Sequence, residues 1–208
     1  MENPKRIVAH GYDIINQNYL NLIDSMGPTV RDKYLNIVEK NLPKGATILE
    51  LGCGAGMPMT KRLTGHFRMV GLDISKEQLS LAVKNVSKAE FILADMTRLP
   101  FAEGQFDAVA AFYCITHVPR EEHIGLLNEI RRVLKPGGLL VVTMGSGDTP
   151  GYVEPDWLGA PMFFSHYDGE TNTRLVKEAG FNIICADDEP EQEFGEPVCF
   201  RWIVASKV

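Results

Sequence analysis

The residues best suited to chemistry stand in and beside one glycine-rich turn. An apolar run ends at Glu50-Leu51, and the turn that follows contains Gly52, Cys53, Gly54 and Gly56. Glycine adopts positive φ at no steric cost and lets a ligand come close to the backbone. A buried strand that breaks into such a turn before a helix predicts a nucleoside site, with the Glu50 carboxylate beside it. Met57 stands where a dinucleotide fingerprint has its third glycine, and Glu50 would repel a pyrophosphate.

Two further carboxylates follow at the ends of the next two apolar runs. Asp73 comes about twenty residues after the glycine turn, where an acid can accept hydrogen bonds from both ribose hydroxyls. Ser75 then predicts a helix cap, with Gln78 as its capping-box partner. Asp95 and Met96 end the third apolar run. Ligands of open α/β sheets bind beyond the carboxyl ends of the strands, so the loops at these ends are the expected ligand site.

These motifs resemble, in order and spacing, those of the class I S-adenosylmethionine-dependent methyltransferases. E-L-G-C-G-A-G at 50–56 is similar to the first motif and G-L-D-I-S at 71–75 to the second. The third is matched by A-D-M at 94–96 with L-P-F at 99–101. F-D-A-V at 106–109 and L-K-P-G-G at 134–138 complete a resemblance over residues 46–143. Within that family, the chain is most similar to enzymes that methylate small molecules and carry methyltransferase domains of the 11 and 25 types.

The resemblance implies S-adenosylmethionine as cofactor and gives a role to each motif. Glu50 would receive the methionine amino group, and Asp73 would accept from the ribose. Asp95 would accept from the adenine amine, while the Met96 N–H donates to a ring nitrogen and Ile74 lies against the adenine face. The implied cofactor-binding residues of the sheet are Glu50, Gly52, Cys53, Gly54, Gly56, Asp73, Ile74, Asp95, Met96 and Phe112.

The N-terminal segment adds two tyrosines to this set. Tyr12 and Tyr19 resemble a Y-D-x-x-(A)-x-x-Y element with which many small-molecule methyltransferases close over the cofactor, with Asn16 in place of the usual alanine. The resemblance implies that both tyrosines contact cofactor or substrate. The alternative is that residues 1–45 form helices that only pack on the domain.

The candidates for catalysis lie in the segments after the fourth and fifth strands. His117 and His166 are candidate general bases, because histidine accepts a proton near pH 7. Tyr113 is a candidate for orienting the acceptor. Glu154 or Asp156 could pair with an amine or another cation. Methyl transfer needs a base only where the nucleophile carries a proton of high pKa, so none of these residues identifies the reaction.

The elements that position these residues follow an alternating strand and helix pattern, which predicts an α/β fold. We expect a Rossmann-like, doubly wound sheet of seven strands, mostly parallel with an antiparallel C-terminal strand, and helices on both faces. The chain would form one domain over 1–208. Its parts would be covering helices at 1–45, a cofactor-binding core at 46–143, a substrate or lid loop at 144–170 and a helix with an antiparallel strand pair at 171–208.

Strands are predicted near 47–51, 68–72, 91–93, 107–112, 138–144, 181–187 and 198–206. Helices are predicted near 57–64, 75–87, 120–134 and 171–179. The segment 145–169, rich in glycine and aromatic residues, is expected to be a mobile lid, and the alternative is a flap that packs over the sheet edge. The acidic run at 187–193 is expected to be a solvated turn of the last hairpin.

The composition excludes some classes of partner. The net charge is −6 over 208 residues and no Lys/Arg cluster exceeds a pair, so no basic face for nucleic acid is expected. No apolar window reaches the roughly 18 residues of a membrane span. The four cysteines show no C-x-x-C spacing. With no secretory pattern at the N-terminus, they predict reduced thiols, no metal site and a cytoplasmic protein.

The pattern therefore predicts an S-adenosylmethionine-dependent enzyme that methylates a small molecule by in-line displacement. One alternative is a non-catalytic cofactor-binding module that supports a partner. Another is an enzyme that uses a modified cofactor, such as an aminopropyl transferase, although Phe112–Ile115 lacks the acids that such enzymes usually carry there. The glycine spacing disfavours a nicotinamide-dependent oxidoreductase. The acceptor, the methylated atom and the oligomeric state stay open.

Overall fold

A computed structural model describes residues 3–25, 30–193 and 195–208. Its strands are β1 (Thr47–Leu51), β2 (Arg68–Asp73), β3 (Glu90–Leu93), β4 (Phe106–Ala111), β5 (Leu134–Gly145), β6 (Thr149–Trp157), β7 (Ala160–His166), β8 (Phe181–Glu193) and β9 (Glu196–Lys207). Its helices are α1 (Pro4–Ser25), α2 (Val30–Asn41), α3 (Met59–Leu63), α4 (Lys76–Asn85), α5 (His123–Val133) and α6 (Gly169–Glu178). Two 3-10 turns, Ile115–His117 and Arg120–Glu122, precede α5. None of these described helices is both long and apolar enough to cross a membrane.

Seven of the strands form one sheet in the order β3-β2-β1-β4-β5-β9-β8. The first five are parallel, and β9 runs antiparallel to both β5 and β8. The predicted Rossmann-like sheet is confirmed. Because β1 stands between β2 and β4 and the chain turns back there, a crevice opens beyond the carboxyl ends of these strands, the usual ligand site of such sheets.

Neighbouring residues of the central strands pack on opposite faces of the sheet. Leu49 belongs to a buried cluster with side chains of α5 and α6. Ile48 belongs to another, with side chains of α2 and α3. Both residues are fully buried, as expected of a parallel strand covered on two sides. The helices on both faces hold the strand ends, and hence the crevice, in a fixed position.

The cap of α4 differs from the predicted capping box. The Ser75 hydroxyl accepts from the Gln78 N–H at 3.1 Å, as expected. The reciprocal bond is absent among the described residues, since the Ser75 N–H donates to Asp73 at 2.8 Å and the Gln78 amide has no partner. The carboxylate that ends β2 has taken over the role of the glutamine.

The prediction that 145–169 is a loop is wrong, because most of this segment forms the β6–β7 hairpin. Its role as a lid stays a prediction. Trp157 pairs with Ala160, and the two residues between them, Leu158 and Gly159, have φ of 56° and 97°. Two positive φ values are typical of a tight hairpin turn, in which asparagine and glycine are usual and leucine is rare. Two irregularities in register also interrupt the alternation by which a strand is recognised. The hairpin packs on α1 so closely that a Cβ at Gly11 would lie 2.7 Å from the Pro161 carbonyl oxygen.

The predicted acidic turn at 187–193 is also wrong, because β8 continues through it. Alternate acids of this strand face one row of donors. Tyr34 of α2 donates to Asp187 at 3.2 Å and to Glu189 at 3.0 Å. Tyr113 donates to Glu191 at 2.7 Å. These hydrogen bonds stabilise an acidic strand that β propensity alone disfavours.

Candidate functional site

The glycine turn forms the floor of a cleft at the carboxyl ends of β1, β2 and β4. Gly52 and Gly54 have φ of 63° and 52°, and a Cβ at Gly52 would lie 2.4 Å from the Cβ of Cys114. The Gly54 N–H donates to Asp73 at 2.8 Å and so joins the turn to the end of β2. The residues that line this glycine cleft are Lys5, Val8, Tyr12, Tyr19, Gly52, Gly54, Asp73, Ile74, Asp95, Met96, Phe112, Tyr113, Cys114, His117 and Val118.

One end of the cleft holds a buried glutamate and a buried arginine. Glu50 is 3% exposed and accepts from the Thr60 hydroxyl at 2.6 Å. Burial raises the pKa of Glu50 to about 8, against the Thr60 hydrogen bond and the charge of Arg31, which lower it. Arg31 is 9% exposed and its guanidinium lies 5.0 Å over the Tyr113 ring. Glu50 and Arg31 both line this end, together with Gln78. A carboxylate and a guanidinium side by side suit the ammonium and carboxylate of an amino acid.

The middle of the cleft is the buried carboxylate of Asp73. It accepts from the N–H groups of Gly54 and Ser75, each at 2.8 Å. Burial raises the pKa of Asp73, although these backbone hydrogen bonds oppose the shift. A carboxylate oxygen accepts more than one hydrogen bond, so Asp73 retains capacity for a ligand hydroxyl.

The far end of the cleft is set by Asp95 and by a lysine of α1. Asp95 accepts from the N–H and the hydroxyl of Thr97, each at 2.9 Å, and pairs with Lys5 at 2.9 Å. Burial alone would raise the pKa of Asp95, but the bonds from Thr97 and Lys5 lower it below its ordinary value. Lys5 also pairs with Glu122 at 2.6 Å. The N-terminus of α1 is thereby fixed over this end.

The wall of the cleft contains a hydrogen-bonded tyrosine and histidine. The Tyr12 hydroxyl lies 2.9 Å from His117 Nε2, and His117 Nδ1 lies 2.8 Å from the Phe163 carbonyl oxygen. A carbonyl only accepts, so Nδ1 carries the proton and Nε2 accepts from Tyr12. Burial lowers the pKa of His117 to about 4. His117 is therefore a neutral link between α1, the 3-10 turn and the hairpin.

Tyr113 stands between this cleft and a second cavity. It has a φ of 58°, rare for a bulky residue, and its hydroxyl donates to Glu191. The other Glu191 oxygen accepts from Trp202 Nε1 at 3.0 Å. Burial raises the pKa of Tyr113, as does the nearby charge of Glu191. The side chain is a fixed, neutral wall rather than a base.

The second cavity, here called the aromatic chamber, has a volume of about 380 Å³. It adjoins the glycine cleft through four residues common to both linings, Tyr12, Tyr19, Tyr113 and His117. The remainder of its lining is Thr116, Gly145, Tyr152, Glu154, Trp157, Phe164, His166, Val198, Cys199 and Phe200. His166 Nδ1 lies 2.7 Å from the Gly147 carbonyl oxygen, so Nδ1 carries the proton and Nε2 is the accepting nitrogen of the neutral ring.

The structure brings together nearly all of the predicted site residues. Eleven of the twelve predicted cofactor-binding residues line the cleft or its Glu50 end. Gly56 does not, because it faces Val86 and Ala82 and packs the turn on α4. The three catalytic candidates, Tyr113, His117 and His166, line the chamber. No group of three or more metal-ligating side chains is found in the described part of the chain.

Three charged residues of the site were missed in the sequence. Arg31 falls on the buried stripe of α2 with Tyr34 and Val38, so an arginine at apolar helical spacing was the available signal. Lys5, near the start of the chain, reaches Asp95, and Glu191 reaches Tyr113 across 78 positions of sequence. No local pattern predicts the last two contacts.

Comparison with known proteins finds similar methyltransferases. Residues 48–138 match the family profile described as a methyltransferase domain. A demethylmenaquinone methyltransferase of Bacillus licheniformis is 36% identical over 119 residues, 53% of this chain and 49% of the relative. The chain thus spans about half the length of this curated relative.

Solved structures share the fold across nearly the whole chain. The magnesium protoporphyrin IX methyltransferase of Synechocystis PCC 6803, with bound S-adenosylhomocysteine, has a TM-score of 0.74 at 16% identity over 99% of this chain and 100% of its own. The [4+2]-cyclase SpnF has a TM-score of 0.75 at 19% identity over 96% of this chain and 94% of its own. Identities this low establish the fold alone.

Proposed function

We propose that this chain, which belongs to the class I S-adenosylmethionine-dependent methyltransferases, transfers the methyl group of that cofactor to a small molecule held in the aromatic chamber. The observation that carries the proposal is the contact between the two cavities. A cleft with acids at both ends and in the middle opens, past Tyr12, Tyr113 and His117, onto a chamber with mostly aromatic walls.

The cleft residues fit the cofactor in three respects. Glu50 is a buried acid, and burial raises its pKa although the Thr60 hydrogen bond and the charge of Arg31 act against the shift. A Cβ at Gly54 would meet only the Gln78 amide, at 3.6 Å, so the turn leaves a cradle beside it. The Gln78 amide is buried at this end, and neither of its polar atoms has a partner among the described residues. Each feature is explained by a polar ligand in the cleft.

Each cleft residue then has a binding role. Glu50 holds the ammonium of the methionine end and Arg31 its carboxylate. Asp73 accepts from the ribose hydroxyls, with Ile74 against the base. Asp95 and the Met96 N–H hold the adenine edge. When bound, the cofactor supplies a methyl group on a positively charged sulfur, which is already an activated leaving group.

The task left to the protein is alignment and the exclusion of water. Helix α1 and the β6–β7 hairpin cover the two cavities, and His117 joins them through Tyr12 and the Phe163 carbonyl oxygen. With both ring nitrogens bonded and a pKa of about 4, His117 serves positioning rather than proton removal. We assign the general base, where the acceptor needs one, to His166.

The test is cofactor binding and turnover in Asp73→Asn. Titration calorimetry with S-adenosylhomocysteine should show at least about tenfold weaker binding, since a charge-assisted hydrogen bond contributes roughly 1.5–3 kcal/mol. Glu90→Gln, at the exposed start of β3, is the matched control. A labelled methyl group from the cofactor should also reach a component of a small-molecule extract. Binding without any transfer would favour a non-catalytic module, and unchanged binding in Asp73→Asn would remove that residue from the site.

A further inference from the structure

The aromatic chamber has an unusual charge composition. Its described lining contains one carboxylate, Glu154, and neither lysine nor arginine. Glu154 forms no salt bridge with any residue that the structure describes, whereas Asp148, just before β6, pairs with Arg120 at 2.7 Å. An anionic acceptor would find no counter-charge in this chamber, and a cation would find one.

The rings of the chamber form a cage beside that carboxylate. Tyr152 stacks on Phe164 with centroids 5.7 Å apart, and Trp157 meets the same ring edge-on at 5.7 Å. Tyr12 contacts Trp157 at 5.8 Å. The faces of such rings carry negative potential and attract cations, as in the aromatic sites that recognise quaternary ammonium groups.

Glu154 lies on the same face of β6 as one of these rings, Tyr152. It lies two residues along β6 from Tyr152, so both side chains stand on one face of the strand. Burial raises the pKa of Tyr152, and the negative charge of Glu154 raises it further. The carboxylate and the ring are therefore near enough to act on one bound group.

We propose that the acceptor is an amine, bound in the aromatic chamber as an ammonium ion by Glu154 and the ring faces, and methylated on nitrogen. This inference rests on the proposed function and specifies its substrate class. The size of the chamber suits an amine with an apolar or aromatic body. A phosphate or carboxylate on that body is disfavoured by the lack of a basic residue in the described lining.

The proton balance of the reaction assigns a part to His166. Its Nε2 accepts the proton of the ammonium, which frees the nitrogen lone pair. That pair forms the bond to the methyl carbon as the carbon–sulfur bond breaks, and the sulfur retains the electrons of the broken bond. The positive charge passes from sulfur to nitrogen, where Glu154 and the rings stabilise it, and His166 returns its proton to solvent.

The first experiment measures binding with an isosteric pair. Choline and 3,3-dimethylbutan-1-ol differ only in a charged nitrogen against a neutral carbon. Each is titrated into the full chain loaded with S-adenosylhomocysteine. Choline should bind at least about tenfold more tightly, and Glu154→Gln should remove most of that preference. Asp156→Asn, an exposed acid of the same strand outside the lining, should keep it. Equal affinities, or an unchanged preference in Glu154→Gln, would overturn the proposal.

The second experiment locates the methyl group. Labelled S-adenosylmethionine is supplied with 2-phenylethylamine and 4-ethylphenol in competition, and label is expected on the amine nitrogen. Label on the phenol with none on the amine would overturn the amine proposal while leaving methyl transfer intact. If the unmodified chain does not bind the cofactor, that result would instead contradict the proposed function itself.

Discussion

The glycine cleft and the aromatic chamber are neighbours in space but are assembled in different ways. The cleft takes its polar groups from the ends of β1, β2 and β3, whose order follows from the fold. The chamber takes its walls from α1, the loop after β4, the hairpin and β9. The acids at the strand ends of the cleft are therefore fixed by local sequence. The chamber is fixed by tertiary packing, as are the contacts of Lys5 and Arg31 with the cleft.

The largest effect is expected from a side chain placed at Gly54, in the floor of the glycine cleft. Gly54→Val should abolish cofactor binding, because φ is 52° and the new side chain would occupy the cleft. The nearest atom to a Cβ there is 3.6 Å away, so the substitution strains the backbone but causes no steric clash within the protein. Gly104→Val is the matched control, since Gly104 has φ of 64° and open space but lies outside the cleft. Calorimetry with S-adenosylhomocysteine should separate the two, and normal binding in Gly54→Val would place the cofactor elsewhere.

What the sequence predicted follows the same division. Asp73 and Asp95 could be assigned to one end of the sheet, where both line the cleft, because the end of a parallel strand is a defined position relative to its neighbours. Their contacts with a cofactor stay a prediction. The hairpin was mistaken for a loop because Leu158-Gly159 is an uncommon turn and bulges interrupt the alternation. The continuation of β8 was missed because its acids are stabilised by Tyr34 and Tyr113, which are distant in sequence.

The next effect in size concerns the methionine end of the cleft. Arg31→Gln should weaken S-adenosylhomocysteine binding by about tenfold or more, as expected for the loss of a charge-assisted hydrogen bond. Affinity for 5′-methylthioadenosine, which lacks the amino-acid end, should hardly change. Titration of the two ligands into both proteins makes the comparison. Equal weakening of the two would mean that Arg31 supports the fold through Tyr113 and not the carboxylate of the ligand.

The raised pKa of Glu50 predicts a pH dependence with a definite sign. In the free protein Glu50 is mostly protonated at pH 7, because its pKa is about 8. Pairing with an ammonium requires the carboxylate, so binding should release a proton and strengthen as pH rises toward 8, by up to about tenfold per pH unit. Calorimetry at pH 7 in buffers of different ionisation enthalpy measures the number of protons released on binding.

The same shift acts on stability in the opposite direction. A folded-state pKa above the unfolded one means that the folded chain holds the extra proton, so Glu50 lowers the stability of the free protein as pH rises through about 8. Glu50→Gln should remove both the proton release and this part of the pH dependence of thermal unfolding. Proton release that persists in Glu50→Gln would assign it to another group, such as Asp73.

The smallest effect is expected at the boundary between the two regions. Tyr12→Phe removes the hydroxyl bound to His117 but keeps the ring. A single hydrogen bond contributes roughly 0.5–1.5 kcal/mol, so residues 4–25 should exchange amide hydrogens up to about tenfold faster in the S-adenosylhomocysteine complex. Tyr167→Phe, whose ring lies under Arg120, is the control. Unchanged hydrogen exchange in α1 would mean that the Tyr12–His117 hydrogen bond does not hold α1 over the cleft.

The central claim is that one cleft presents a cofactor's methyl group to the aromatic chamber, and a crystal structure with S-adenosylhomocysteine tests it most directly. The amino-acid end should lie between Glu50 and Arg31, the ribose on Asp73 and the adenine beside Asp95. The sulfur should face the opening formed by Tyr12, Tyr113 and His117. A ligand in the reverse orientation, or one whose sulfur is separated from the chamber by protein, would contradict the account.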